Sequence, residues 1–216
     1  MTIRHYIDPE KGSYRDLAPA AEVLLDGGLL AGPTQSFYAF MALADKPRAM
    51  ERIAALKAGR GQEHPYLLLI DSVSRAACYA QETNEDARKL MARFWPGLLT
   101  LLFTGHPGLP ARVLGKAQTV GLRVEGLEPV RRLIRMVDRG ITGTSANRHQ
   151  AAPPTTADMV LADFDGQIDL VLDSGPTPGQ VSSTIVDVSG AEPWIYRQGA
   201  ISPAELEAVC PSIKYS

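Results

Sequence analysis

The chain has 216 residues, 45% of them hydrophobic and 21% charged, with a formal net charge of −2. This composition is typical of a globular protein, and the length predicts one domain, residues 10–205, followed by a C-terminal tail, residues 206–216. Two cysteines, Cys78 and Cys210, exclude a disulfide framework, and no apolar run reaches the length of a membrane span. The first residues lack the apolar core of a secretory signal, so we expect a cytoplasmic protein.

Strand-like and helix-like segments alternate along the chain. Short apolar runs predict strands at residues 28–32, 66–70, 98–103, 119–124, 141–144, 168–172, 183–188 and 194–196. Apolar residues at helical spacing predict helices at residues 45–57, 72–79, 84–95, 128–137 and 156–162. A capping box, Ser202 with Glu205, opens a last helix. This alternation predicts an α/β layer fold with a largely buried sheet.

Charge is distributed unevenly along the sequence. Residues 112–148 are rich in arginine, whereas residues 149–196 contain acidic residues and neither lysine nor arginine. The basic stretch either furnishes a positive surface or forms ordinary solvated faces. A pI near 6.1 argues against a dedicated nucleic-acid-binding protein, but it does not exclude a bound nucleotide.

Several common functional signatures are absent from the sequence. No phosphate-binding loop G-x-x-x-x-G-K-[ST], dinucleotide fingerprint G-x-G-x-x-G, nucleophile elbow G-x-S-x-G or zinc motif H-E-x-x-H occurs. The four histidines have no metal-ligand spacing, so we expect no metal held by the protein alone. No standard hydrolase or dehydrogenase signature remains.

Four polar clusters lie at the ends of predicted strands, where ligands of open α/β sheets bind. They span residues 32–38, 57–64, 119–123 and 142–147. Their arginines, hydroxyls and backbone amides suit a carboxylate or a phosphate, since arginine forms forked, charge-assisted hydrogen bonds. Each cluster also has a purely structural interpretation: a turn, cations at a helix end, a solvent-facing polar stripe and a second turn. None of these four clusters, taken alone, is specific for one function.

In this order and at this spacing, the clusters resemble one family, the YrdC-type threonylcarbamoyl-AMP synthases. The resemblance consists of a proline-threonine motif, a helix-to-strand passage, a central strand and three later motifs. The matching segments are Pro33-Thr34, 94–100 (FWPGLLT), 119–124 (TVGLRV), 144–147 (TSAN), 182–187 (SSTIVD) and 196–201 (YRQGAI). Together they cover nearly the whole chain.

The resemblance implies a single-domain YrdC-like fold, a twisted and largely mixed sheet flanked by helices, with a concave positive face. It also implies a nucleotidyltransferase that joins L-threonine, bicarbonate and ATP into threonylcarbamoyl-AMP and pyrophosphate. Mg²⁺ would be bound through the phosphates, and the product would pass to downstream proteins that form threonylcarbamoyladenosine in tRNA. Direct contact with tRNA and binding of double-stranded RNA are further expectations.

The site residues that the resemblance implies fall into three groups. The catalytic tetrad corresponds to Lys57, Arg60, Ser145 and Asn147. The residues expected to hold L-threonine are Thr34, Arg123 and Gly143. Those expected to contact the nucleotide are Arg60, His64, Thr119, Ser145, Pro153 and Arg197.

The sequence departs from the family pattern near several of these positions. Residues 35–40 (QSFYAF) replace an acid or serine followed by T-V-Y-G-L, and the changes to alanine and phenylalanine would narrow a pocket that they faced. Lys57 lies one residue before the tetrad position, which turns its side chain by about 100° on a regular helix unless the local backbone adapts. His64 stands where asparagine is common, and Glu125 stands where proline is usual.

Two other interpretations follow from these departures and from the charge pattern. A diverged relative would keep the fold and bind a nucleotide without synthase activity, or would act on a different amino acid or carbamoyl donor. An RNA-binding module would use the basic residues 112–148, although the pI and the lack of interleaved aromatic residues oppose it.

Overall fold

The computed structural model describes residues 1–10, 12–57, 65–115, 117–179 and 181–215. Within these ranges the chain forms eleven strands, six α-helices and one short 3-10 helix. The predicted α/β class is confirmed, but the strands form two mixed sheets where one was expected. None of the helices in these ranges is long and apolar enough to cross a membrane.

The helices begin at recognisable capping signals. Their bounds are α1 Tyr14–Leu25, α2 Pro47–Leu56, α3 Glu85–Phe94, α4 Glu128–Val137, α5 Ala157–Phe164 and α6 Pro203–Glu207. Ser13 and Ser202 each form a capping box, and the side chains of Asn84 and Thr156 cap α3 and α5. The 3-10 helix, Ser74–Cys78, is shorter than the helix predicted there.

The strands divide into a five-stranded and a six-stranded sheet. Their bounds are β1 Ile3–Tyr6, β2 Leu30–Gly32, β3 Ala39–Met41, β4 Leu68–Ile70, β5 Leu99–Thr104, β6 Thr119–Val124, β7 Ile141–Thr142, β8 Thr144–Ser145, β9 Leu170–Asp173, β10 Thr184–Asp187 and β11 Trp194–Arg197. The smaller sheet has the order β1-β9-β2-β3-β8, and the larger sheet has the order β11-β10-β5-β6-β4-β7. Each combines parallel and antiparallel pairs.

Gly143 divides the strand predicted over residues 141–144 between the two sheets. β7 pairs with β4 of the larger sheet, whereas β8 pairs with β3 of the smaller sheet. A Cβ atom at Gly143 would lie 2.7 Å from Cγ of Leu69, so only glycine fits the crossing without moving that buried leucine. The crossing brings edges of both sheets together.

The helix predicted over residues 45–57 is shorter at both ends. It begins after Lys46, which is the N-cap, because Pro47 at the first position has its φ fixed near the helical value. It ends at Leu56, and Lys57 is the C-cap with φ −95° and ψ 28°. The backbone therefore leaves the regular helix at Lys57, and whether this brings Lys57 to the tetrad position stays a prediction.

Buried apolar side chains form two clusters. One packs α1 and α4 against each other and against strands of both sheets, with Leu17 and Leu133 among its fully buried members. The other includes side chains from both sheets and also Leu206, Cys210 and Ile213. The last residues of the chain thus contribute to this core, and the domain boundary at residue 205 stays a prediction.

Candidate functional site

A cavity of about 590 Å³ lies where the two sheets meet. Its size is within the range of small-molecule sites. Both sheets contribute to its lining, which consists of Thr34, Ser36, Phe37, Tyr38, Ala39, Pro65, Leu67, Thr100, Leu102, Gly115, Ala117, Thr119, Gly121, Arg123, Gly143, Thr144, Ser145, Ser182, Ser183, Ile185, Asp187, Tyr196 and Arg197.

Most of the site residues implied by the resemblance meet at this cavity. Those that line it are Thr34, Thr119, Arg123, Gly143, Ser145 and Arg197. Lys57 and Asn147 lie behind the lining and contact Ser145, as described below. Pro153 is half-buried and is not part of the lining. Arg60 and His64 lie outside the described residues.

The turn after β2 places Thr34 at the cavity. Its hydroxyl donates to the carbonyl of Phe37 at 2.7 Å and accepts from the backbone N–H groups of Ser36 and Phe37 at 3.2 and 3.3 Å. The hydroxyl therefore organises the turn, as the structural interpretation of this cluster predicts. The turn also exposes Thr34 to the cavity, so the two interpretations are compatible.

The changes at residues 39 and 40 do not have equal consequences for the cavity. Ala39 is part of the lining. Phe40 is fully buried and packs edge-to-face on Phe164, with ring centroids 5.0 Å apart. Because Phe40 points into the core, it does not narrow the cavity.

The polar face of β6 forms one wall of the cavity. Thr119, Gly121 and Arg123 all line it, as their alternation along the strand predicts. A Cβ atom at Gly121 would lie 3.2 Å from Leu102, so the glycine keeps this wall open. Thr119 is 9% exposed and Arg123 4%, which excludes a solvent-facing stripe.

Arg123 is held by a buried carboxylate that sequence reasoning did not include in the site. Its Nη2 donates to Oε2 of Glu125, and both side chains are almost completely buried. The other oxygen of Glu125, Oε1, accepts from the backbone N–H groups of Gln35, Gly126 and Leu127 at 2.8, 3.0 and 3.3 Å. Nε of Arg123 is buried and has no hydrogen-bond partner among the residues that the structure describes.

Lys57 joins α2 to the segment that follows Gly143. Its Nζ donates to the carbonyl oxygen of Ser145 at 2.9 Å, and to the carbonyl oxygen and Oδ1 of Asn147 at 2.8 Å each. Oδ1 of Asn147 also accepts from Oγ of Ser145 at 2.7 Å. Three members of the expected tetrad therefore form one hydrogen-bonded group, and Lys57 is only 4% exposed.

Hydroxyl groups from the larger sheet surround Arg197 at the opposite wall. Nη2 of Arg197 donates to the carbonyl oxygen of Ser183 at 2.8 Å, and Oγ of Ser183 lies 2.9 Å from Oγ1 of Thr100. Sequence reasoning missed the site role of these hydroxyl residues. The sequence contained a signal for this role, since Thr100 ends the matching segment 94–100 and Ser183 lies in the matching segment 182–187.

Tyr38 borders the cavity, but its hydroxyl is bound to residues outside the lining. The hydroxyl donates to the carbonyl oxygen of Gly175 at 2.8 Å. Burial raises its pKa, and backbone and side-chain contacts with Ser174 offset this rise in part. Tyr38 contributes no charge to the cavity, because tyrosine is protonated at neutral pH even at its ordinary pKa.

The oxygen groups of the cavity fit a metal ion that arrives with phosphates. Among the residues that the structure describes, no three His, Cys, Asp or Glu side chains cluster as a metal site. The lining offers hydroxyls and the carboxylate of Asp187, whose Oδ1 already accepts from Ser189. This set forms no all-protein cage, but it suits Mg²⁺, which keeps several of its ligands as water and phosphate oxygens.

Comparisons with known proteins agree with this site. The sequence profile of the Sua5/YciO/YrdC family, described as "Telomere recombination", matches residues 22–199. The proteins named threonylcarbamoyl-AMP synthase from Pyrococcus abyssi and Bacillus subtilis are each 34% identical, over 90% and 89% of this chain. The chain covers 57% and 56% of their lengths, little more than half of each.

A solved structure is similar to the chain in both fold and sequence. The crystal structure of P. abyssi Sua5 complexed with L-threonine matches with a TM-score of 0.92 and 32% identity, over all of this chain and 63% of that one. The profile spans most of the chain, and its motifs surround one cavity. The chain therefore belongs to the Sua5/YciO/YrdC family.

Proposed function

We propose that this protein is an L-threonylcarbamoyladenylate synthase that joins L-threonine, bicarbonate and ATP and releases pyrophosphate. The observation that supports this most strongly is the convergence of Thr34, Arg123, Ser145 and Arg197 on one cavity. These residues come from four separate segments of the chain. The relatives named threonylcarbamoyl-AMP synthase and the similar structure bound to L-threonine support the same proposal.

Different residues of the cavity suit the two larger substrates. Thr34, Arg123 and the backbone at Gly143 would hold threonine, because the unpartnered Nε of Arg123 offers a donor to a carboxylate oxygen. Thr119, Ser145 and Arg197 would contact the nucleotide. Arg60, His64 and Pro153 keep the nucleotide contacts that the resemblance assigns to them, as part of this proposal.

The reaction needs positioning more than covalent chemistry. The amine of threonine captures bicarbonate as a carbamate with loss of water, and a carbamate oxygen then attacks the α-phosphorus. The bond from the α-phosphorus to the leaving pyrophosphate breaks in line with this attack. The cavity supplies aligned hydrogen-bond donors for both substrates, which is how enzymes accelerate transfer at phosphorus. Mg²⁺ carried by ATP would neutralise charge on the phosphates.

The adenylate formed in this way would serve tRNA modification. Downstream proteins would transfer the threonylcarbamoyl group to an adenosine in tRNA, in the cytoplasm. Direct contact of this chain with tRNA or double-stranded RNA, on the expected concave positive face, belongs to the same proposal.

The proposal is tested by pyrophosphate release from ATP, with L-threonine and bicarbonate each omitted in turn. We expect release to require both, and other amino acids to replace threonine poorly. R197M should lower kcat/KM by about 100-fold, since loss of a charge-assisted contact to a phosphate costs a few kcal/mol. R93M, at an exposed arginine of α3 outside the cavity, is the matched control and should leave kcat/KM unchanged. Release at an equal rate without threonine would contradict the proposal, and ATP binding without release would favour the diverged relative.

A further inference from the structure

Glu125 connects Arg123 to the turn that contains Thr34, two of the three positions that we propose for threonine binding. It is fully buried at the end of β6, two residues after Arg123. One of its oxygens accepts from Arg123, and the other accepts from the backbone of Gln35, the neighbour of Thr34. A single carboxylate thus joins the wall formed by β6 to the turn after β2.

Packing also holds the turn after β2 against the end of β6. A Cβ atom at Gly126 would lie 2.1 Å from Oε1 of Gln35, so the Gln35 side chain covers the backbone of this glycine. The N–H groups of Gly126 and Leu127 fix the same carboxylate oxygen that Gln35 contacts. Backbone groups therefore hold one oxygen of the carboxylate, and the other oxygen is left to accept from Arg123.

The hydrogen bond to Glu125 uses one nitrogen of the Arg123 guanidinium. Glu125 accepts from Nη2 of the guanidinium, whereas the buried Nε has no partner within the described part of the chain, and Arg123 lines the cavity. An unpaired buried donor is costly, so a ligand oxygen that satisfies it gains binding energy. The ion pair has no net charge, which suits a zwitterionic amino acid better than a phosphate.

From this geometry we infer that Glu125 is a positioning residue for amino-acid binding. It orients the guanidinium of Arg123 and holds the Thr34 turn at a fixed distance from it. The inference rests on the proposed function, because it takes threonine as the ligand of Arg123.

E125Q tests the inference because an amide cannot replace both functions of the carboxylate. A carboxylate accepts at both oxygens, whereas an amide accepts at one and donates at the other. In E125Q the amide NH2 group therefore points either at the Arg123 guanidinium or at the backbone N–H groups. In either position a donor faces another donor, and one of the two contacts is lost. We expect the KM for threonine to rise about tenfold or more, the usual effect of losing a hydrogen bond to a charged group. The KM for ATP and kcat at saturating threonine should stay within about threefold of wild type, since the nucleotide contacts lie elsewhere.

Two further variants make this result decisive. E22Q removes the same charge at an exposed residue of α1, outside the cavity, and should change neither KM. E125D keeps the charge with a shorter reach and should raise the KM for threonine by a smaller factor than E125Q. It also serves as the test if E125Q does not fold. A purely structural role would lower the active fraction, and with it kcat, without changing the KM for threonine; that result would overturn the inference.

The assay also separates this inference from the proposed function. If the wild type releases no pyrophosphate, the proposed function fails. Calorimetric titration with L-threonine then tests Glu125 directly, and the tenfold loss of affinity in E125Q is still expected. An unchanged affinity for threonine in E125Q, or a wild type that binds no threonine, overturns the inference.

Discussion

Replacing Lys57 with methionine removes the ammonium group that joins α2 to the Ser145–Asn147 segment while keeping most of the side-chain volume. The three hydrogen bonds from Nζ to this segment are 2.8–2.9 Å long, and Lys57 is 4% exposed. A hydrogen bond from a charged group contributes about 1.5–3 kcal/mol. Burial of the ammonium costs several kcal/mol, which offsets part of the combined contribution of the three hydrogen bonds. We expect K57M to lose about 2–4 kcal/mol of unfolding free energy.

The expected loss is measurable by thermal unfolding. For a chain of this size, 1 kcal/mol corresponds to about 2–4 °C in the unfolding midpoint, so K57M should unfold about 5–10 °C lower than wild type. Turnover should also fall by about 100-fold, because displacement of a substrate-contacting group by about 1 Å has that effect. Pyrophosphate release at a temperature where K57M is folded measures this second change.

The matched control is K89M. Lys89 is a half-exposed lysine of α3 that pairs with Glu85 one turn earlier. An exposed pair at this spacing contributes only about 0.3–0.5 kcal/mol, so K89M should keep its midpoint within about 2 °C and its full activity. If K57M kept the wild-type midpoint but lost activity, Lys57 would act on the substrate directly. That result would refute the prediction that Lys57 acts by holding the Ser145–Asn147 segment.

Three further predictions concern stability. T184V should lose about 2–4 kcal/mol, because the buried Thr184 hydroxyl donates to the carbonyl of Ile201 and accepts two backbone N–H groups. T184S keeps these bonds and should lose less than about 1 kcal/mol in the same denaturant titration. G143A should lose about 1–3 kcal/mol by overpacking the leucine beneath Gly143; a wild-type midpoint in thermal unfolding would contradict the crossing geometry. Partial burial alone would raise the pKa of Asp169, but hydrogen bonds from Arg52 and a backbone N–H lower it. Because the folded pKa is lowered, Asp169 stabilises the fold above about pH 4, and this contribution is lost as the pH falls through the folded value. The difference in unfolding free energy between wild type and D169N should therefore be constant near neutral pH and disappear at low pH.

Elements with a complete local signal were predicted from the sequence with correct bounds. β6 and α4 match their predicted ranges, since β6 has a regular alternation and α4 has Val130, Leu133 and Val137 on one face. The elements that were missed have weak or contradictory signals. α1 contains Pro19 within the helix, although the capping box of Ser13 would have indicated its start.

Short strands were missed for a different reason. β3 has three residues, all of them buried, so it shows no alternation, and it directly follows a polar turn. β1 is an edge strand whose exposed residues carry no apolar pattern. Both strands exist because of pairing with distant parts of the chain, β3 with β8 and β1 with β9. Such tertiary pairing cannot be derived from a local window.

The membership of the site was easier to predict than its internal contacts. The motifs brought Thr34, Arg123 and Ser145 to one cavity, as expected from the ends of strands. The position of Lys57 depended on how α2 ends, which a helical wheel does not describe. The role of Glu125 depended on the distance between two strand ends, and no spacing in the sequence encodes that distance.

The partners of the three cations explain how one cavity can suit two ligands of different charge. Lys57 and Arg197 donate to carbonyl oxygens. Arg123 donates to a carboxylate, and the Arg123–Glu125 pair has no net charge. A polyanion such as ATP gains from net positive charge, whereas a zwitterion such as threonine needs an oriented donor and gains little from net charge. The neutral Arg123–Glu125 pair lies on the side proposed for the amino acid. Phosphates bound there would lie close to the carboxylate of Glu125, so under the proposed function this pair would favour threonine over ATP at that place.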